Sequence, residues 1–223
     1  MGRAQRETAG PDWSLERQAR REGYQLIAGT DEAGRGCLFG PVFAAAVILD
    51  PARALPGLDD SKRLTPIRRR DLNEKIRETA IAWAVRATDA ATIDLVNILQ
   101  ASRLAMQRAV HSLDPAPDFL LADAVTLDSE IPQRGVIQGD CRSRSIAAAS
   151  ILAKVARDEC MLEWDAVYPE YGLRAHKGYP AQAHLAALRE HGCTPLHRQS
   201  YRPVARVARL DPVVPESGYT VTS

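Results

Sequence analysis

The chain has 223 residues, 45% of them hydrophobic and 26% charged, which suits a globular protein with one large core-bearing domain. A formal net charge of +1 and a pI near 7.7 exclude a protein whose partner is announced by bulk charge, although a basic face can hide in a neutral total. The charged start, the lack of any run near the roughly 18 apolar residues of a membrane span, and four scattered cysteines without C-x-x-C spacing argue against secreted, membrane and zinc-site classes; a cytoplasmic protein with reduced thiols is expected.

Residues 1–22 are rich in Arg and Glu and weakly patterned, as in a solvated helix or arm. Tyr24–Gly29 reads as a short apolar strand that runs into Thr30, Asp31 and Glu32. Val42–Leu49, bounded by Pro41 and Asp50-Pro51, has the look of a strand buried on both faces. Thr65-Pro66 starts a helix, with Thr as N-cap and Pro in the first turn, that should run to about Thr79 and bury Leu72 and Ile76. Ile81–Ala87 alternates as a strand, and Ile98–Leu113 carries a small-residue stripe that lets a helix lie close to a sheet.

Phe119–Ala122 is a short apolar strand delivering Asp123, and Gly135–Gln138 another delivering Asp140. Ser143–Tyr168 is the longest predicted helix, followed by a polar loop over Pro169–Tyr179 and a last helix, Ala181–His191, stopped by Gly192. Residues 212–223 are expected to be a frayed tail, which leaves residues 23–211 as the main domain. Strands interleaved with helices predict an α/β fold with a central mixed sheet.

The chemistry lies in the acids. Adjacent carboxylates such as Asp31 and Glu32 repel one another unless a cation neutralises them. Hard divalent ions, Mg²⁺ or Mn²⁺, take such oxygen ligands, and Asp123 and Asp140 close the other apolar stretches. Four acids at one edge can hold two metals roughly 3.5–4 Å apart, a geometry suited to in-line displacement at phosphorus. The Gly34–Gly40 stretch lacks the spacing of a P-loop or a dinucleotide site; glycine there lets backbone approach a substrate sugar.

Gly29-Thr30-Asp31-Glu32-Ala33-Gly34-Arg35-Gly36 with Gly40-Pro41 resembles the signature of bacterial ribonuclease HII, a type 2 ribonuclease H. So do Leu58–Leu64 (LDDSKRL), Ile146–Asp158 (IAAASILAKVARD), His176–Pro180 (HKGYP) and His197-Arg198, in family order, and the likeness covers about Gln25 to Val204. The resemblance implies a ribonuclease H-like fold, a central mixed sheet flanked by helices with a helical C-terminal part. It implies Asp31, Glu32, Asp123 and Asp140 as catalytic metal ligands for Mn²⁺ or Mg²⁺. It also implies that Gly34, Arg35 and Gly36 reach the ribose 2′-hydroxyl, that Tyr179 stacks beside the junction, and that Lys62 touches backbone phosphate.

The implied activity is hydrolysis of the RNA strand of RNA–DNA hybrids and cutting 5′ of single ribonucleotides in duplex DNA, as in ribonucleotide excision repair, by a monomer with no membrane partner. Two positions depart from the family pattern: Ala124 where Gly usually follows the third acid, and Gln138 where Lys often precedes Gly-Asp.

Other residues are read more plainly. Asp158 is four residues after Lys154 and is expected to form a helix-surface ion pair rather than a fifth ligand. His184 and His191 are expected on exposed helix surface, whereas His176 and His197 are equally readable as substrate contacts or bystanders. Cys37 and Cys141 are expected to be filler, and Arg68–Arg70 a solvated face. The competing functions are a resolvase- or integrase-type nuclease that ignores ribose, and a hybrid-binding module without catalysis; four retained acids weigh against the second.

Overall fold

The computed structural model describes residues 10–208, so residues 1–9 of the expected arm and the whole expected tail, 212–223, lie outside the described residues. In chain order the elements are α1 (Ser14–Arg21), β1 (Ile27–Ala33), β2 (Val42–Ile48), α2 (Pro66–Thr79), β3 (Ala82–Thr88), α3 (Ala90–Val96), α4 (Ile98–His111), β4 (Phe119–Asp123), β5 (Gln133–Val136), α5 (Arg144–Val167), α6 (Leu173–His176), α7 (Gln182–His191) and α8 (Arg202–Ala208).

Among the described residues the strands form one sheet in the order β3-β2-β1-β4-β5. β2 runs antiparallel to both β1 and β3, and β4 is parallel to both β1 and β5. The sheet is therefore mixed, as expected, and the carboxyl ends of three parallel strands open at one edge.

Each face of this sheet is covered. Ala45 and Val47 pack with α2 and α5, while Ala44, Ala46 and Ile48 pack with α4. The alanine run of β2 is the reason both helices come close: small side chains on both faces leave little to stand between sheet and helix. Gly29 carries this furthest, since a Cβ there would be 2.1 Å from the Ser145 carbonyl carbon. Thr65 caps α2 by accepting from the Arg68 amide, and Ser143 caps α5 by accepting from the Ile146 amide at 3.2 Å.

Several expectations change. β1 continues through Asp31 and Glu32 to Ala33 instead of ending before them, because β2 supplies pairing partners as far as Ala33↔Phe43. α3, absent from the sequence reading, is capped by Asp89, whose side chain accepts from the Thr92 amide at 2.7 Å, and ends at Asn97 with φ +68°. The region expected to be a solvated arm contains α1, whose Glu16 is buried and accepts from Ser143 Oγ at 2.6 Å and the Ser145 amide at 2.9 Å. An anion at the N-terminus of α5 meets unpaired amides there. Finally, the stretch expected as a polar loop after α5 contains α6 and buries Tyr171 and Leu173 in a second core with Leu38, Phe39, Met161 and Leu188.

Candidate active site

Strand alternation sends Asp31 to the α5 face of the sheet and Glu32 to the α4 face. The parallel register Thr30↔Ala122 then brings the next residues, Asp31 and Asp123, to one level at the open edge. Asp31 is 3% exposed, and burial, then the charges of Glu32 and Asp123, push its carboxyl well above the ordinary range. A hydrogen bond from Ser150 and one from the Glu32 amide, at 2.7 Å to Oδ1, pull the other way. Burial also raises Glu32, opposed by Arg35, whose guanidinium donates to Glu32 Oε1 at 3.1 Å.

Asp123 is raised by burial and by Asp140, and lowered by the Gly139 amide, which donates to its Oδ1 at 2.6 Å. Gly139 is confined to this place, because a Cβ would be 2.5 Å from Ile146 Cδ1. It opens a 3-10 turn, Gly139–Cys141, that carries the buried Asp140. Asp140 comes off this turn and not directly off β5. The four acids thus share one electrostatic site, two on β1, one at the end of β4, one on the following turn.

Lys62 reaches the same site from the loop before α2, with Nζ 3.5 Å from Asp140 Oδ2 and its side chain largely exposed. Desolvation works against its charge, but Asp140, Asp60 and Asp31 together raise the ammonium. The loop is locked by Ser61, whose hydroxyl is 2.9 Å from that of Ser150, the residue that also bonds Asp31. Arg69 locks it from below: buried, it donates to the carbonyls of Ser61 and Leu64, each at 2.9 Å, and pairs with Asp158 at 3.3 Å. The expectation of a solvated Arg68–Arg70 face fails at Arg69. Asp158 does pair with Lys154, as expected, and its second partner joins α5 to the Lys62 loop.

Among the described residues, the group of three possible ligands whose donor atoms all lie within 4.8 Å of one another is Asp60, Asp140 and Cys141. Asp60 and Cys141 were not expected as ligands, and no three of Asp31, Glu32, Asp123 and Asp140 have donor atoms that close to one another.

On the other side of Glu32 the Gly34–Gly40 loop crosses to the C-terminal helices. Its two inner glycines differ. Gly34 has φ +98°, and a Cβ there would sit 1.9 Å from Arg157 Nε, so an internal side chain fills the space where a Cβ would project. Gly36 is open, with only Tyr179 Cε1 at 3.9 Å from its absent Cβ. Tyr179 is 40% exposed, and burial and the neighbouring Cys37 thiol raise its hydroxyl. Gly36, Arg35 and Tyr179 therefore line one edge, and Arg35 ties it to Glu32.

The histidines correct the sequence reading most. His184, expected on the surface, is fully buried, with Nδ1 2.9 Å from the Tyr179 carbonyl and Nε2 3.3 Å from His197 Nε2. His197 is also fully buried between Phe39 and Tyr171, which removes it as a substrate contact. His176 stacks on His184 at 4.5 Å, and His191 is exposed as expected. These rings support the Tyr179 loop from behind. The nearest signal for them in the sequence was the clustering of His176, His184 and His197 near one tyrosine.

Comparison with known proteins bears on the whole arrangement. The family model described as Ribonuclease HII matches residues 28–204. A ribonuclease HII of Solibacter usitatus is 58% identical over 197 residues, covering 88% of this chain and 86% of that protein. One of Desulfitobacterium hafniense is 56% identical over 190 residues, covering 85% and 73%. The crystal structure of the ribonuclease H2 of Pyrococcus horikoshii superposes with a TM-score of 0.70 at 25% identity, covering 83% of this chain and 98% of that one.

Proposed function

The chain belongs to the ribonuclease HII family, and from that premise we propose that it hydrolyses the RNA strand of RNA–DNA hybrids and cuts 5′ of a single ribonucleotide embedded in duplex DNA. The observation that carries the finer reading is the junction of two edges. An ion pair, Arg35 to Glu32, joins a carboxylate cluster to a loop where Gly36 and Tyr179 stand side by side.

Asp31, Glu32, Asp123 and Asp140 fit a divalent cation. All are oxygen donors, and the burial and mutual repulsion that raise three of their carboxyls are relieved by positive charge. When bound, Mg²⁺ or Mn²⁺ supplies the charge that makes water nucleophilic near neutral pH and steadies the oxygen leaving phosphorus.

The remaining work belongs to the chain. Lys62, largely exposed over Asp140, offers a cation to backbone phosphate. Phosphate is the same in RNA and DNA, so selection needs groups at the 2′-hydroxyl. The open backbone at Gly36 allows that approach, and the Tyr179 ring offers a flat face for the neighbouring sugar or base. A tyrosine hydroxyl is protonated at neutral pH, and burial raises this one further, so it can donate.

The test is a duplex with one embedded ribonucleotide, incubated with Mg²⁺, Mn²⁺ or chelator beside an all-DNA control. Cutting on the 5′ side of the ribonucleotide, leaving 3′-hydroxyl and 5′-phosphate ends, is expected only with metal. Tyr179→Ala should lose junction cutting while Mn²⁺ affinity stays near the parent's. Equal cutting of the all-DNA duplex would instead favour a nuclease that ignores ribose.

A further inference from the structure

We propose that Arg157 is a positioning residue for ribose selection, joining the Gly34–Phe39 loop and the Lys177–Tyr179 loop into one unit so that Gly36 and Tyr179 face the same nucleotide. The inference rests on the ribonuclease HII reading above and names the group that holds its specificity edge together.

Arg157 lies on α5 and is fully buried. One guanidinium nitrogen donates to the Lys177 carbonyl at 2.7 Å, and the other terminal nitrogen to the Phe39 carbonyl at 3.2 Å. Its Nε occupies the space that a Cβ on Gly34 would need, and a Cβ on Gly178 would come within 3.3 Å of its Nη2. The guanidinium carbon is 5.9 Å from the Tyr179 ring centroid. One side chain therefore meets both loops, at Gly34 and Phe39 of one and at Lys177, Gly178 and Tyr179 of the other. Among the described residues the only direct backbone bond joining these two loops is from the Leu38 amide to the Gly178 carbonyl, 2.8 Å.

The charge is what makes the arrangement informative. Among the described residues Arg157 forms no ion pair within 4 Å, and its buried Nε has no hydrogen-bond partner. Burying a cation without a carboxylate is costly, and an apolar side chain of similar length would fill the space more cheaply. A planar fork with two forward-facing donors can clamp two carbonyls at fixed spacing, which neither Met nor Lys can do. The cost is explained if the spacing of the two loops matters to what they recognise. Both glycines are then understood as clearance for the guanidinium.

The experiment compares the parent, Arg157→Met, Arg157→Lys, Tyr179→Ala and the double variant Arg157→Met/Tyr179→Ala. Each is assayed for kcat and KM on the single-ribonucleotide duplex and on a continuous RNA–DNA hybrid, with Mn²⁺ affinity and melting temperature alongside. Arg157→Met should bind Mn²⁺ within about twofold of the parent yet lose at least about tenfold in the preference for the single-ribonucleotide duplex over the continuous hybrid. Arg157→Lys should recover part of that loss.

Adding Tyr179→Ala to Arg157→Met should cost little more, since both act through one edge. An equal fall on every substrate, or fully additive losses, would overturn the proposal. Hydrogen exchange at the Leu38 amide gives a readout independent of substrate. It should quicken at least about tenfold in Arg157→Met and partly recover in Arg157→Lys, while amides in the centre of β1 keep their rates. If the parent cuts no embedded ribonucleotide, the functional reading fails, and the exchange data still decide whether Arg157 joins the loops. Unchanged exchange at Leu38 would end the idea.

Discussion

Lowering the pH from 7.5 to 5 should cost the folded protein about 2 kcal/mol through His197 alone. His197 Nδ1 accepts from the Thr194 amide at 3.0 Å, so its proton must sit on Nε2. His184 Nδ1 faces the Tyr179 carbonyl, which can only accept, so that ring carries its proton on Nδ1 and offers a bare Nε2. The 3.3 Å contact between the two Nε2 atoms is then one hydrogen bond from His197 to His184, with both rings neutral. A proton added to His184 would set two N–H groups against each other, and one added to His197 would meet the Thr194 amide. Burial and the neighbouring imidazole accordingly depress His197 from the ordinary value of 6.5 to about 3.

The unfolded chain takes up the proton near 6.5 and the folded one resists it to about 3, so stability is full above pH 6.5 and declines as pH falls through that window. At pH 5 the gap of about 1.5 units below the unfolded value corresponds to about 2 kcal/mol, or a melting shift of roughly 4–8 °C for a domain of this size. Urea unfolding at pH 7.5 and 5 should therefore show a smaller pH loss in His197→Asn than in the parent. The asparagine can keep the Thr194 contact through its oxygen but has nothing to protonate. Its baseline stability will be lower, since it no longer fills the space between Phe39 and Tyr171, and only the slope is diagnostic. Parallel pH dependences, within about 0.5 kcal/mol, would refute the buried neutral pair.

Other outcomes follow from single sites. Ala124 has φ +51°, a conformation costing a Cβ-bearing residue roughly 1–2 kcal/mol. Ala124→Gly should raise stability by about 0.5–1 kcal/mol after the glycine's added unfolded-state entropy, with a lower urea midpoint counting against the strain. Glu16→Ala leaves the Ser145 amide and Ser143 hydroxyl without their acceptor, and should lower stability by about 1–3 kcal/mol in thermal melts. An unchanged melting temperature would return α1 to the status of a dispensable arm. Asp31→Asn should abolish turnover yet stabilise the metal-free protein by about 0.5–2 kcal/mol at neutral pH. A carboxyl raised on folding destabilises the fold wherever it is ionised, and a chelated sample that melts lower after the substitution would contradict that sign.

What the sequence revealed was whatever local pattern controls. The apolar runs ending in Asp123 and surrounding Asp31-Glu32, the cap at Thr65, and the order of the motifs were all readable, because strand period and capping chemistry act within a few residues. β1 was cut short because two acids look like an end to a strand, and only β2, pairing across to Ala33, shows that the ladder continues. α3 went unseen because seven residues between two capping side chains make a weak helical period, although Asp89 and Asn97 marked both of its ends.

The residues that were misread, Glu16, Arg69 and His184, and two given no role of their own, Arg157 and Arg198, share one physical cause. Glu16, Arg69, Arg157, His184 and Arg198 are polar or charged types that usually face water, and in isolation each is best assigned to a surface. All are buried here, and each faces backbone groups of a loop or helix start: helix-start amides for Glu16, carbonyls of the Lys62 loop for Arg69, the Phe39 and Lys177 carbonyls for Arg157, the Tyr179 carbonyl (shared with the Ala181 amide) for His184, and the Gly40 and Arg35 carbonyls (the latter shared with the Tyr201 hydroxyl) for Arg198. Loops that do not pair as strands or helices leave backbone groups for other partners, and buried side chains supply many of them here. The motif residues near the acids divide accordingly. Lys62, Arg35, Gly36 and Tyr179 present an outer surface, while the arginines and histidines behind them hold that surface still. A sequence displays both sets in the same motifs, and only burial separates the residues that can meet a substrate from those that fix where it is met.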